Sequence, residues 1–400
     1  MTRTHRQLFL EHVAQTSPAP LLLEIERASG VYLYGPAASG GKAYIDLIAG
    51  ISVSSLGHCH PAVVQAVQHQ AETFMHLMVY GEFVHSPQVK LAEALTVQLP
   101  DSLNSVYLVN SGAEATEGAL KLAKRYTGRP DVVHFANSYH GSTQGALSVM
   151  GSEYFRNAYR PLIPGSRMLQ YNDSSELHEI NERTAAVIVE PIQAESGVTV
   201  PSLDFLKQLR DRCTATGTLL ILDEIQTGFG RTGTLFAFQQ LGIVPDVLLC
   251  AKGMGGGMPI GAFIASKEMM AVFQQGPILG HITTFGGHPV CCAASLATLQ
   301  TLLAENYIAA VAAKEKLFKE LLVHPAIRSF RSKGLLIALE FDSFDTNKKI
   351  IDTCIENGVV TDWFLFAPNC LRIAPPLIIT PEEIGKACKV VLAAIAQHTS

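Results

Sequence analysis

The 400-residue sequence predicts an α/β fold: a large domain whose mostly parallel sheet is covered by helices, with a smaller α+β domain beside it. Three observations carry this. Apolar runs recur through the middle of the chain, and most lack the alternation of a strand with one wet face. Stretches with helical spacing lie between several of them. The runs also end, one after another, in small, aromatic or charged residues, as strands do when their carboxyl ends build a ligand site.

Taken in order, residues 1–55 contain LLLEIERASGVYLY and AYIDLIAG, which read as short strands and turns. The buried runs follow: SVYLVNSG (105–112), DVVHFANSYHG (131–141), AAVIVEPIQ (185–193), TLLILDEIQTG (218–228), PDVLLCAKG (245–253) and GAFIAS (261–266). Ala119, Leu122, Ala123 and Tyr126 form a helical stripe after the first run, and Leu203, Leu206, Leu209 and Arg210 form another after the third. From about 290 the chain reads as a long helix (CCAASLATLQTLLAENY), then GLLIALEF, a turn at Gly358, LRIAPPLIIT and a last helix. The expected division is a large domain over 56–290 and a small one built from 1–55 and 291–400. Strand ends then bring Ser111-Gly112, Tyr139-His140, Glu190, Asp223 and Lys252 to one edge.

Composition narrows the function classes. Charged residues are 16% and hydrophobic ones 48%, which suits a compact globular chain rather than a disordered one. Net charge is −5 with no basic block, so a nucleic-acid partner is not expected. No apolar run reaches membrane-span length, and the N-terminus lacks a signal peptide's apolar core, so a soluble cytoplasmic protein is expected. Eight cysteines show no CxxC pair, so they read as reduced buried thiols and no metal site is expected.

Three pieces carry chemistry. Asp223 ends a buried run, where a carboxylate is costly without a partner; a salt bridge would satisfy it as well as a ligand would. Lys252 ends another run, ahead of a glycine cluster (CAKGMGGGMPIGA); desolvation at such a place lowers an amine's pKa and makes it a nucleophile, while a snorkelling lysine is the plainer reading. Ser111, Gly112 and Ala113 open a strong helix, and a helix N-terminus is an anion site as well as an ordinary cap. Together, a phosphate cradle, an imine-forming lysine and a carboxylate for a ring nitrogen are the requirements of pyridoxal phosphate. The glycine cluster lacks the spacing of a dinucleotide fingerprint, and no P-loop is present.

The chain resembles the class III aminotransferases of the fold type I pyridoxal-phosphate enzymes, the acetylornithine, ornithine and 4-aminobutyrate group. GHCHPAV (57–63), NSGAEATEGALKLAK, YHG (139–141), EPIQAESG (190–197), LDEIQTGFGRTG (222–233), AKGMGGGMPIGA, TTFGGHP (283–289) and LRIAPPL (371–377) carry the resemblance in the family's order and spacing. It implies that Lys252 holds the cofactor as an internal aldimine and shuttles the proton. It implies that Asp223 pairs with the ring nitrogen, Gln226 with the phenolic oxygen, and that Tyr139 stacks on the ring with His140 beside it. Ser111, Gly112 and Ala113 would hold the phosphate, and Thr284 would reach the phosphate of the other subunit of a homodimer. Arg372 would clamp a substrate carboxylate and Glu195 would pair with it otherwise, a switch suited to a glutamate/2-oxoglutarate half-reaction.

One departure matters for the donor. Members that act on ornithine or acetylornithine carry an arginine right after the YHG position, and this chain has Ser142 there. Arg156 or Arg160 would be a replacement carboxylate clamp; otherwise a donor without a distal carboxylate, a diamine or ω-amine, is implied. The apolar stretch 74–86 would line the donor pocket, or a core or dimer interface. A decarboxylase or aminomutase of the same fold, or a non-catalytic cofactor-binding protein, would share Lys252 and Asp223.

Overall fold

In the computed structural model, which describes residues 3–399, a short helix (His5–His12) precedes β1 (Arg27–Ser29), β2 (Tyr32–Tyr34) and β3 (Ala43–Asp46), an antiparallel set. The central sheet then has seven strands: β4 (Ser105–Val109), β5 (Asp131–Phe135), β6 (Ser166–Leu169), β7 (Thr184–Val189), β8 (Leu219–Asp223), β9 (Val247–Cys250) and β10 (Gly261–Ala265). Their order is β4-β10-β9-β8-β7-β5-β6. Only β10 is reversed, pairing antiparallel with both β4 and β9; every other pair is parallel. Six carboxyl ends therefore meet at one edge of the sheet.

All six expected runs are strands, and their lack of alternation has a clear cause. On β7, Val187 and Val189 face one apolar cluster while Ala186 and Ile188 face another, so both faces are dry. The strand that sequence reasoning missed is β6, SRML. It lies at the sheet's edge and is only partly buried, so it needs no apolar run.

Helix Gly112–Thr127 covers one face, packing on β10, β9 and β7. Ser111 caps it by accepting the Glu114 N–H, and left-handed Gly128 ends it. Of its expected stripe, Ala119, Leu122 and Ala123 are fully buried, but Tyr126 in the last turn is exposed. Helix Leu203–Thr216 departs more: Leu203 is exposed, and Phe205, Leu206, Leu209 and Cys213 make the buried face.

The C-terminal third adds β11 (Ser329–Ser332), β12 (Ile337–Glu340), β13 (Val359–Val360), β14 (Asp362–Phe364) and β15 (Ala367–Ile373). Four of these form the sheet β11-β12-β15-β14, while β13 joins β3 in parallel. That pairing ties the N-terminal strands to the C-terminal third, directly after the turn at Gly358. The boundary expected at 290/291 falls in the first turn of helix Pro289–Ala304, which packs on helices Pro61–Thr73 and Ser86–Thr96. Among the described residues no helix is long and apolar enough to cross a membrane, and all eight cysteines are free, seven of them buried.

Candidate active site

A cavity of about 660 Å³ lies at the carboxyl edge of the central sheet. Ser111, Gly112, Ala113, Tyr139, His140, Asp223, Gln226 and Lys252 all line it, as do Ser142 and Glu190. Of the residues expected to touch the cofactor, Thr284 alone is elsewhere. It is exposed, in a segment whose neighbours Ile282 and Phe285 are exposed apolar residues.

Two adjacent carboxylates end β8, and the structure separates their roles. Glu224 turns inward and is fully buried. It accepts the N–H groups of Ala237 (2.8 Å) and Phe238 (2.7 Å) and the Thr227 hydroxyl (2.8 Å), so it caps a turn. Burial pushes its carboxyl up to about 7. Asp223 faces the cavity. Its Oδ1 accepts the Ile225 N–H at 3.0 Å and its Oδ2 lies 2.6 Å from His140 Nδ1. His140 was expected beside the ring; here it supports the aspartate, with its Nε2 buried and without a partner.

The YHG loop is held from both sides. Glu190, at the end of β7, accepts the Tyr139 N–H at 2.9 Å and the Ala194 N–H at 3.1 Å. Burial, then the nearby Asp223 charge, push Glu190 up to about 8. Gly141 adopts φ +122°, and a Cβ there would come within 2.7 Å of the Ala113 Cβ. Glycine thus lets this loop pass directly against the helix start that carries Ser111–Ala113. The Tyr139 hydroxyl is 3.2 Å from the Ser142 hydroxyl.

Lys252 closes β9 at φ 46°, a left-handed conformation rare for a side-chain-bearing residue and often seen at functional sites. Burial lowers its amine to about 8, although the Glu195 and Asp223 charges act the other way. A substantial fraction is therefore neutral near pH 8, as a nucleophilic or proton-carrying amine requires.

Glu195 and Arg372 are paired and buried beside this cavity. Arg372 donates end-on to both Glu195 oxygens, at 2.8 and 2.9 Å. Burial opposes ionisation of Glu195, but the Arg372 guanidinium, its hydrogen bond and Lys252 outweigh it and hold the carboxyl at about 2. Gln226 Nε2 donates to Glu195 Oε1 at 2.9 Å, linking the pair to the cavity wall. A further carboxylate went unread in the sequence. Asp362 on β14 makes an ion-pair contact with Arg372 Nε at 2.9 Å, outside good hydrogen-bond angles. Nothing in TDWF signals this; only the pairing of β14 with β15, Asp362 opposite Arg372, brings the two together.

Arg156 and Arg160 do not line the active-site cavity; they line a separate one. The stretch 74–86 is also absent from the active-site wall, and Met75, Leu77, Met78, Phe83 and Val84 are exposed.

These residues fit pyridoxal phosphate. The helix start offers first-turn N–H groups without intrahelical partners, Lys252 a low-pKa amine, and Asp223 a buried carboxylate. The chain matches the family model described as aminotransferase class-III over residues 13–395. It is 39% identical over 364 residues to the acetylornithine aminotransferase of Caldanaerobacter subterraneus subsp. tengcongensis, covering 88% of this chain and 90% of that one. Among solved structures, the ornithine aminotransferase of Toxoplasma gondii superposes with a TM-score of 0.89 at 31% identity, covering 98% of this chain and 93% of that one. An amine transaminase from an uncultivated Pseudomonas species, solved in its PLP-bound internal aldimine form, gives 0.88 at 28% identity, covering 97% and 98%. A family match that spans nearly the whole chain, on a fold these neighbours share, makes this chain a class III aminotransferase and pyridoxal phosphate its cofactor.

Proposed function

We propose that this aminotransferase takes the amino group from an ω-amine or diamine donor and passes it to a 2-oxo acid, 2-oxoglutarate, at one alternating site. The observation that carries the donor reading is the absence of a guanidinium from the cavity wall near Ser142, among the described residues. An arginine there would hold a donor carboxylate by its planar fork; a serine hydroxyl does not replace that charge.

Bound pyridoxal phosphate supplies the electron sink that makes the donor's C–H acidic. Lys252 Nζ attaches the cofactor, then takes up and returns the proton. Asp223, buttressed by His140, holds the ring nitrogen's proton in place. Ser111, Gly112 and Ala113 bind the phosphate, and Tyr139 covers the ring. Gln226 keeps one amide hydrogen for the phenolic oxygen while the other binds Glu195. With Glu195 closed on Arg372, a donor without a carboxylate meets a neutral pair. With Glu195 swung away, Arg372 presents its end-on edge to the acceptor's carboxylate.

The active unit in this reading is a homodimer, with Thr284 reaching the partner's phosphate. Support comes from the exposure of Thr284 and of the apolar residues around it. Residues 79–81 and Ile278, Leu279 and Ile282 border one cavity of about 510 Å³, which shares no lining residue with the subunit's own site. The relatives' name favours a second donor, N-acetylornithine.

The test is a half-reaction panel. Each donor is added singly to cofactor-loaded protein and the cofactor absorbance followed, using L-glutamate, L-alanine, N-acetylornithine, ornithine, 4-aminobutyrate, putrescine and an aryl amine. Conversion by glutamate together with putrescine or the aryl amine supports the proposal. N-acetylornithine converting about tenfold faster than these establishes the second reading. If no amine converts the band, the decarboxylase and aminomutase chemistry of this fold takes precedence.

A further inference from the structure

A second cavity, of about 370 Å³, lies at the β6 edge of the central sheet. It shares no lining residue with the active site, and its polar wall is His134, Glu153, Arg156, Arg160 and Ser166.

Two of these side chains are in unusual surroundings. His134 on β5 is 0% exposed, and neither ring nitrogen has a hydrogen-bond partner. Arg156 is only 5% exposed, and its Nε is likewise unpartnered. Its other nitrogens are weakly engaged: NH1 is 3.1 Å from Glu153, and NH2 reaches the Ser166 hydroxyl only at 3.5 Å. Arg160 binds the other oxygen of the same Glu153 at 2.6 Å. Two guanidinium charges thus share one half-exposed carboxylate, leaving the cavity wall with an excess positive charge.

Buried polar groups without partners are costly, and most in folded proteins find one. Of these three nitrogens, Arg156 Nε and one of the two on His134 can donate, and beside a surplus of positive charge such donors suit an anion. Burial, then the Arg156 charge, lower His134 to about 3, so the ring is neutral and offers one N–H donor. Arg156 Nε, the Ser166 hydroxyl and that N–H supply three donors. Arg160, whose side chain is half exposed, can exchange Glu153 for a ligand.

We propose that this cavity is a binding site for a small oxyanion, separate from the catalytic centre. Its ligand is recognised by Arg156, Arg160, His134 and Ser166. The shared chemistry is a phosphoryl or carboxylate group, and the experiment separates the two.

The experiment is calorimetric titration of the cofactor-loaded enzyme, in which the catalytic phosphate cradle is already filled. Inorganic phosphate and, separately, acetate are injected at constant ionic strength set with chloride. Saturable binding with a Kd of about 1 mM or tighter is expected for one of them, and which one identifies the group. Arg156→Gln should weaken it at least about tenfold, since charge-assisted bonds are the strong ones. Because a change at buried Arg156 can compromise folding, Arg160→Gln carries the decisive arm. That exposed substitution should leave the thermal midpoint in place and weaken binding roughly threefold or more. No saturable heat up to about 50 mM of either anion, or an affinity unchanged in Arg160→Gln, overturns the proposal. The donor panel is independent of this result.

Discussion

Replacing Glu195 with Gln tests the switch at its hinge. The carboxyl is held at about 2 in the folded protein against an ordinary value of 4.5. At 1.36 kcal/mol per unit, that depression corresponds to roughly 3 kcal/mol favouring the ionised, paired arrangement. The sign follows from the direction of the shift. The contribution is complete above about 4.5 and is lost as pH falls through about 2. A 2-oxo acid that binds Arg372 must first displace this carboxylate, so part of that energy is subtracted from its apparent affinity. Full recovery would tighten acceptor binding by about a hundredfold. Asp362 continues to occupy Arg372 Nε in the variant, and the glutamine amide retains some hydrogen bonding, so about tenfold is expected. The measurement is steady-state kinetics with 2-oxoglutarate varied, alongside the half-reaction of the amine donor alone. Glu195→Gln should lower the acceptor KM about tenfold while the donor half-reaction slows, because the donor now meets an arginine whose end-on edge has lost its carboxylate. An acceptor KM that is unchanged or raised, with a normal donor half-reaction, would refute the switch and leave Glu195–Arg372 as a fixed structural pair.

Lys252→Ala should abolish turnover while the protein still binds the cofactor non-covalently, as read by absorbance after gel filtration; full activity would contradict the assignment. In the wild type, covalent loading of the apoprotein should accelerate as pH rises and reach half its limit near 8, because only the neutral amine reacts and burial has lowered its pKa to that value. Asp223→Ala should lower kcat by several orders of magnitude, roughly 10³ or more, while His140→Ala, which removes the 2.6 Å support at Asp223 Oδ2, should cost about 10- to 100-fold with cofactor binding retained. Thr284→Ala should weaken cofactor retention several-fold on dialysis; if Thr284 is an ordinary loop residue, retention will match the wild type.

Much of this site was legible because charge interrupts an apolar pattern. Asp223 and Lys252 each end a run that the core has made almost wholly hydrophobic, and no packing argument explains a carboxylate or an amine there. What escaped depends on proximity between segments far apart in sequence. His140 follows Tyr139 and lines the cavity, but its bond to Asp223, 83 residues away in sequence, has no local signal. Asp362 has no local signal either, since only antiparallel pairing sets it across from Arg372. β6 carries no periodic signal because an edge strand need bury only part of itself.

These long-range contacts also tie the proposed substrate switch to Lys252. After burial, the largest influence on Lys252 is the Glu195 charge, which raises its pKa, whereas Arg372 lowers it. In the proposed switch, Glu195 swinging away costs Lys252 its main electrostatic support, while the Arg372 charge stays, paired with Asp362 alone. That loss pushes the amine further toward its neutral form. A substrate carboxylate arriving on Arg372 restores a negative charge near where Glu195 had been, so the field at Lys252 returns to its earlier balance. The amine can then keep one working pKa for two substrates of different charge. This yields a consequence separable from affinity. In Glu195→Gln the loading midpoint of Lys252 should fall below about 8, and a carboxylate ligand on Arg372 should move it back up. A midpoint that stays fixed in the variant would mean that solvent screens the pair from Lys252, and the switch would then act on substrate binding alone.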